Sequence, residues 1–314
     1  MIPTYNRVAL LRKAIEGYLA HSVPASIREL LIVDDGSTDD TAAMVAGLSE
    51  HAPFPIRYLR QSNKGPAAAR NFGIREARSP IILFTDSDIV PARDLVAQHL
   101  AWHQKNPELS AAVLGYVTWP SEPKPTPFMK WYGEYKLFSY GELQHRQEVK
   151  TPHLFTCNVS LKTDFLRTCG QFDEDFKTAA FEDIELAYRL GKSGLRLFYN
   201  AQAIGYHHQF FTFASVCRKA RANKDATLVF LRKEAGQRIL APRIRRRSHL
   251  WFRLAKWSAT TAAVALTPAR QLLDSYIPLP HLIYRLFLWN DTTRVAEISV
   301  SQGAEIADAA VVGS

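Results

Sequence analysis

Three cysteines in 314 residues, Cys157, Cys169 and Cys217, are too few and too irregularly spaced for a disulfide framework or a zinc site. An odd count without a C-x-x-C pair predicts reduced thiols in a cytoplasmic setting. Long apolar runs are missing too: none reaches the ~18–20 residues that span a bilayer. The opening MIPTYNR meets charge and turn residues at once and does not read as a signal peptide. Acids are scarce in one segment only. From Arg218 to Lys256 there are 13 Lys and Arg but 2 acids, Asp225 and Glu234. The whole chain carries +9, so the remainder is slightly acidic. That segment predicts a partner of opposite sign. An anionic membrane surface fits; nucleic acid does not, because no nucleic-acid module is recognisable.

What is present is an alternation. RVALLRKAIEGYLAH, TDDTAAMVAGLSEH, GPAAARNFGIREAR and PARDLVAQHLAWHQ have helical spacing, with Ser37 or Thr38 as the expected cap of the second. ELLIVDD, IRYLRQ, PIILFTD and SAAVLGYV are short apolar runs between them. Strands alternating with helices predict an α/β fold, a mostly parallel sheet covered by helices. Residues 118–150, rich in proline and aromatics, read as a long loop around a short aromatic helix. IPTYN has the look of the loop that follows a first strand, and that strand is expected upstream of it.

Two of these apolar runs end in paired acids. LIVDDGSTDD carries Asp34 and Asp35; ILFTDSDIVP carries Asp86 and Asp88 with no Lys or Arg beside them in the sequence. In an extended chain residues two apart point the same way, so Asp86 and Asp88 are expected to reach one ion together. Ligands bind at the carboxyl edge of open α/β sheets, and Mg²⁺ or Mn²⁺ takes oxygen ligands that it shares with phosphates. The bland reading of each pair is a solvated turn before a capped helix. Lys64 and Arg70 in NKGPAAARN sit near a helix start that favours anions, where they suit a diphosphate. Glu182 and Asp183 open another helix as a dipole pair or as a general base. His207 or His208, after AIGY, could complete a metal site, with His207 the first candidate.

Taken in order, IPTYNR, IVDDGSTDD, NKGPAAARNFGI, FTDSDIVP, CNVSLKTDFLRTCGQFDEDF and FEDIELAYRLGKSG resemble the family 2 glycosyltransferases, which have the GT-A nucleotide-diphospho-sugar transferase fold. The likeness covers about residues 1–210. It implies a catalytic domain there, with a nucleotide-binding half to about residue 117 and an acceptor half from 118 to 210. It implies inverting transfer from a nucleotide-diphosphate sugar to a hydroxyl of a glycan or lipid-linked acceptor, assisted by Mn or Mg. Pro3, Tyr5 and Asp35 would hold the nucleotide and Arg70 would sit near the diphosphate. Asp86-Ser87-Asp88 would be the D-x-D motif, with Asp88 the metal ligand, and Asp183 would be the base. Phe181 stands where many relatives have a small residue. A polyprenyl-phosphate acceptor, or a sugar-nucleotide-binding protein without catalysis, are the alternatives. A nucleotidyltransferase would want a G-x-G-x-R loop, which is absent.

Beyond residue 210 the pattern is helical and basic. RIRRRSHLWFRLAKW joins arginines to Trp251, Phe252 and Trp257. This predicts an amphipathic membrane-association region over 211–295, a peripheral cytoplasmic protein, and a disordered tail over 296–314.

Overall fold

The computed structural model describes residues 1–138, 140–143, 145, 147–242, 272–275 and 284. The arginine- and tryptophan-rich run from 243 and the expected disordered tail lie outside them.

The chain starts β1 (Ile2–Thr4), α1 (Val8–Leu19), β2 (Leu30–Asp34), α2 (Thr41–Ser49), β3 (Ile56–Arg60), α3 (Pro66–Glu76), β4 (Ile81–Thr85), β5 (Ile89–Pro91), α4 (Leu95–Lys105) and β6 (Ala111–Thr118). There follow α5 (Pro127–Tyr132), β7 (Glu148–Val149), β8 (Asn158–Lys162), α6 (Thr163–Cys169), α7 (Glu182–Lys192) and β9 (Arg196–His207). The last described helices are α8 (Phe213–Ala222), α9 (Lys224–Arg232) and α10 (Glu234–Ile239). The expected α/β alternation is therefore present.

Strands β1, β2 and β3 are parallel. The Met1 amino group donates to the Leu83 carbonyl at 2.7 Å and the Thr85 N–H to the Met1 carbonyl at 3.2 Å, so β1 also lies beside β4. The sheet continues β4-β8-β6-β9-β5, with β7 on β9. Here β8 is antiparallel to both neighbours and β6 runs parallel to β9. β2 is buried at every position, as a parallel strand covered on both faces should be. Leu30 and Ile32 pack with Leu11, Ile15 and Met44 of α1 and α2. Leu31 and Val33 pack with Ala67, Ala69 and Ile74 of α3.

Two expectations are corrected here. IPTYN does not merely follow a strand, because Ile2–Thr4 pairs with Ile32–Asp34 and is itself β1. Neither Ser37 nor Thr38 caps α2: Asp39 Oδ1 accepts the Thr41 N–H at 3.2 Å instead, and Ser37 is drawn away to Asp34.

The described residues fall into two compact units, Met1–Pro123 with Leu137–Gln209, and Lys124–Lys136 with the chain from Phe210 on. The aromatic helix α5, which the sequence placed in an acceptor half, thus groups with the C-terminal helices. Inside that second unit Phe128 packs on Phe213 and Tyr284, each with ring centroids 5.6 Å apart. Thr212 and Ser215 close a reciprocal cap on α8.

Candidate functional site

In the first unit the carboxyl ends of β1, β2 and β4 stand side by side, and the two acid pairs meet different fates there. Asp34 is fully buried. Its Oδ1 accepts the Ser37 N–H at 2.9 Å and the Ser37 hydroxyl at 2.5 Å, and its Oδ2 accepts the Tyr58 hydroxyl. Asp35 accepts Gln61 Nε2 at 2.8 Å and the N–H groups of Lys64 at 2.9 Å and Gly65 at 2.8 Å. This pair therefore builds its own loops. Asp35 also fills the amide-rich approach to α3 that the sequence reading had reserved for a diphosphate. Gly65 can sit there because its φ is +96°, and a Cβ would come 2.8 Å from the Lys177 carbonyl. Asn6, left-handed at φ 51°, stitches the β1 loop to the β2 loop: its Oδ1 accepts the Thr38 N–H at 2.8 Å. Beside it Tyr5 is 45% exposed. Lys64 is exposed and Pro3 half-buried.

At the end of β4 the chain turns rather than running on. The Ile89 N–H donates to the Asp86 carbonyl at 3.1 Å, closing a turn over Asp86-Ser87-Asp88. The expectation that both carboxylates project together from an extended segment is corrected by that turn, which sends them to different partners. Asp86 accepts Arg70 Nη2 at 3.0 Å, and Arg70 Nη1 donates to Glu182 Oε1 at 2.9 Å. Asp88 Oδ2 accepts Arg7 Nη1 at 2.7 Å. The acids are thus not without protein cations, which is a second correction. Sequence distance hid this: the partners come from α3 and from the β1 loop, and Arg7 escaped the sequence reading although it belongs to the quoted IPTYNR. The compensation is still incomplete. Asp86, Asp88, Glu182 and Asp183 share Arg7 and Arg70. Among the described residues the buried Asp88 Oδ1 has no hydrogen-bond partner, and His207 Nε2 lies 3.9 Å away.

Asp183 occupies the first turn of α7, behind Phe181, whose φ of 69° puts a bulky residue in the left-handed region. Burial pushes the Asp183 carboxyl up to about 7, and the Glu182 charge adds to it. Arg70 and the Ile184 N–H, which donates to Asp183 Oδ1 at 2.8 Å, pull the other way and lose. Glu182 is raised as well, by burial first, against the pull of Arg70. The lowering expected from a helix N-terminus is therefore outweighed by desolvation. The Cys157 thiol, buried and pushed well up by burial, lies close enough to feel Asp86, Asp183 and Asp88.

The chain matches the model of Glycosyl transferase family 2 over residues 1–170. It belongs to that family. Validoxylamine A glucosyltransferase of Streptomyces hygroscopicus subsp. jinggangensis is 31% identical over 230 residues, covering 65% of this chain and 54% of that protein. Pre-mycofactocin glycosyltransferase of Mycobacterium tuberculosis is 27% identical over 220 residues, 66% of this chain and 42% of that one. The chain spans about half the length of these relatives. Among solved structures, mannosyltransferase PcManGT of Pyrobaculum calidifontis, in complex with GDP-Man and Mn²⁺, superposes with a TM-score of 0.62 at 20% identity. The match covers 96% of this chain and 85% of that one. S. aureus TarS 1-349 in complex with UDP gives 0.54 at 16% identity, over 96% and 90%. The fold is that of the GT-A glycosyltransferases.

For this family 2 glycosyltransferase a divalent cation is implied, and the donor set can be tested against one. Among the described residues no three His, Cys, Asp or Glu side chains form a ready-made metal cluster. The expected trio is therefore incomplete: Asp86 turns to Arg70, and only Asp88 and His207 converge. The unpartnered Asp88 Oδ1 is nevertheless the hard oxygen donor that Mg²⁺ or Mn²⁺ takes. The His207 ring is held on Trp119, with centroids 5.3 Å apart. Its Nδ1 accepts the Gln209 N–H at 3.2 Å. A separate cavity of about 190 Å³ opens at the opposite ends of β2 and β4, lined by Leu30, Leu31, Ile81 and Tyr18. It touches none of Asp34, Asp35, Asp86, Asp88, Glu182 and Asp183 and has no part in the site.

Proposed function

We propose that the chain moves a sugar from a nucleotide-diphosphate donor to a hydroxyl of a glycan or lipid-linked acceptor, with inversion and with Asp183 as general base. The observation that carries this reading is the Asp183 carboxyl, raised to about 7 at the edge of an acid cluster that keeps one buried oxygen unpartnered. A base must hold a proton well yet be ionised at working pH, and a value near neutrality meets both demands. Asp183 removes the acceptor proton as the hydroxyl oxygen attacks the anomeric carbon from the face opposite the diphosphate. Glu182, locked to Arg70, holds that guanidinium against Asp86 and sets the potential around the base.

On the donor side, β2 and β4 flank β1, so their tips lie two strand spacings apart, roughly 9–10 Å. That distance suits a nucleotide that rests on one tip with its diphosphate at the other. Tyr5, beside Pro3, offers an exposed ring to the base. Asp35 shapes the 61–65 loop around the nucleotide, and the exposed Lys64 ammonium faces the phosphates. Asp88 and His207 would hold Mn²⁺ or Mg²⁺, with Asp86 kept on Arg70 beside the diphosphate. When bound, such an ion offsets the charge of the departing nucleoside diphosphate. The Mn²⁺ and nucleotide sugar in the PcManGT structure support this assignment.

The test is release of nucleoside diphosphate from a panel of nucleotide sugars with Mn²⁺ or Mg²⁺. A nucleoside diphosphate should raise the melting temperature only with metal, and Asp88→Ala should abolish the gain. Equal stabilisation without metal overturns the metal assignment. Asp183→Asn should collapse turnover. Survival of most activity would point to a polyprenyl-phosphate acceptor, which is already an anion and needs no base.

Peripheral binding to an anionic membrane, on the cytoplasmic side, is part of the proposal. Among the described residues no helix is long and apolar enough to cross a membrane. Helices α8, α9 and α10 carry Arg218, Lys219, Arg221, Lys224, Arg232 and Arg238. Binding to vesicles containing anionic lipid should weaken steeply as salt rises.

A further inference from the structure

We propose that Asn158 is a positioning residue whose amide locks a bulge in β9 and thereby sets His207 against Asp88. Along β6 and β9, Gly115 pairs with Asn200, but the next residue, Tyr116, pairs with Ile204. Ala201, Gln202 and Ala203 therefore have no partner on β6. Past the bulge β9 resumes its pairing with β6, Ile204, Gly205 and Tyr206 lying opposite Tyr116, Val117 and Thr118, and on its other edge Gly205, Tyr206 and His207 pair with Pro91, Val90 and Ile89 of β5. The His208 N–H then donates to the Asp88 carbonyl at 2.7 Å. Without the bulge the end of β9 would slip by three residues, roughly 10 Å. An odd slip also turns every side chain to the other face. His207 would then leave the acid cluster altogether.

The bulge strips backbone groups of ladder partners. The Ala201 N–H donates to His145 Nδ1 at 2.9 Å and the Gln202 N–H to Asn200 Oδ1 at 3.1 Å, and the carbonyl side falls to Asn158. Asn158 Nδ2 donates to the Ala203 carbonyl at 2.8 Å and to the Tyr116 carbonyl at 3.1 Å. Gly115 leaves room for this, since a Cβ would come 2.3 Å from Asn158 Nδ2 and 2.5 Å from the Ala203 carbonyl. With the NH₂ group committed to two carbonyls, Asn158 Oδ1 faces His99 Nε2 at 2.9 Å and must accept from it. His99 Nδ1 then accepts the Ser160 hydroxyl at 2.8 Å, and Ser160 Oγ accepts from His103 Nε2 at 2.8 Å. Burial lowers both imidazoles, His99 to about 4 and His103 to about 3, so each is neutral and each tautomer is set by the next group. A directed hydrogen-bond chain thus runs from α4 through β8 to the bulge. The placement of β9 stands on this geometry alone; its consequence for turnover rests on the function proposed above.

Hydrogen exchange read by mass spectrometry, on the full chain, tests it. Asn158→Asp keeps the shape but presents oxygen to two carbonyls. Exchange over residues 201–208 should become at least tenfold faster while that over α1 and β2 stays unchanged. Should Asn158→Asp fail to fold, His99→Leu and His99→Gln carry the test. Leu loses the donor and should loosen 201–208, whereas Gln, whose amide can donate, should restore protection. Unchanged exchange over 201–208 in both Asn158→Asp and His99→Leu overturns the proposal, as does His99→Gln behaving like His99→Leu. In turnover, Asn158→Asp should raise the metal concentration needed for half-maximal rate and lower kcat, with the donor KM unchanged; loosened 201–208 with none of these changes overturns the link to His207. If the parent protein releases no nucleoside diphosphate while 201–208 still loosens, the proposed function fails and the positioning role stands.

Discussion

The tips of β2 and β4 look alike in the sequence and behave differently in the fold. Each ends an apolar strand with two carboxylates. At β2 the carboxylate oxygens accept from Ser37, Tyr58, Gln61, Lys64 and Gly65. All of these donors are neutral, and four of the five lie in the adjoining loops; a cation, Arg60 at the end of β3, stands 3.9 Å from Asp34 Oδ2. At β4 the partners are arginines from distant segments, the acids outnumber them, and one Asp88 oxygen is left over. The first pair is a device for shaping loops. The second stores unbalanced negative charge in a poorly solvated place, which is what a ligand of opposite sign can use. Paired acids after a strand identify an edge of the sheet; the source of the balancing donors says what that edge does.

Substitutions can break this contrast. The largest effect is expected at the acid cluster: Asp183→Asn should lower kcat by ~10²–10⁴-fold, the usual worth of a general base. Asp34→Asn, measured in the same assay, should leave kcat within a few-fold. It should instead cost about 1–3 kcal/mol of stability in chemical denaturation, because an amide cannot accept at both oxygens.

A pH series sharpens the comparison next. The Asp183 carboxyl rises from its ordinary 3.8 to about 7 in the folded chain, so the folded state holds a proton that the unfolded state has lost over that window. Stability linked to this group is complete below about 4 and is lost as pH climbs to about 7. Activity runs in the opposite sense, falling about tenfold per unit below pH 7 as the base is protonated. Asp183→Asn should therefore unfold at a higher temperature than the parent at pH 8 and at nearly the same temperature at pH 4. The smallest effect is expected at β2: Tyr58→Phe removes one donor to Asp34 and should cost about 0.5–1.5 kcal/mol with donor KM unchanged.

The alternation of strands and helices was legible because periodicity is local, and the ordered motifs pointed to residues that the fold gathers at the tips of β2 and β4 and at the head of α7. The misses were matters of distance and of backbone shape. Asp86 and Asp88 were read as extended because a turn over D-S-D leaves no local mark. Arg7 and Arg70 could not be matched with their acids, since the pairings join different elements, Arg7 with Asp88 across 81 residues and Arg70 with Glu182 across 112. His99 and His103 drew no attention within PARDLVAQHLAWHQ. Their spacing of four does place them on one helix face, and that face is buried. Asn158 stood inside a quoted motif, but its task depends on a register shift between two other strands.

Phe181 has a consequence for engineering. A ring-bearing residue held left-handed just before α7 keeps conformational energy in the loop. Replacing it with glycine would relax the backbone while also freeing the unfolded chain, so thermal robustness gained by that route is small. Alignment of the acids at the head of α7 is what such a variant would surrender, and the same exchange limits any attempt to make this protein sturdier by ironing out its least comfortable residue.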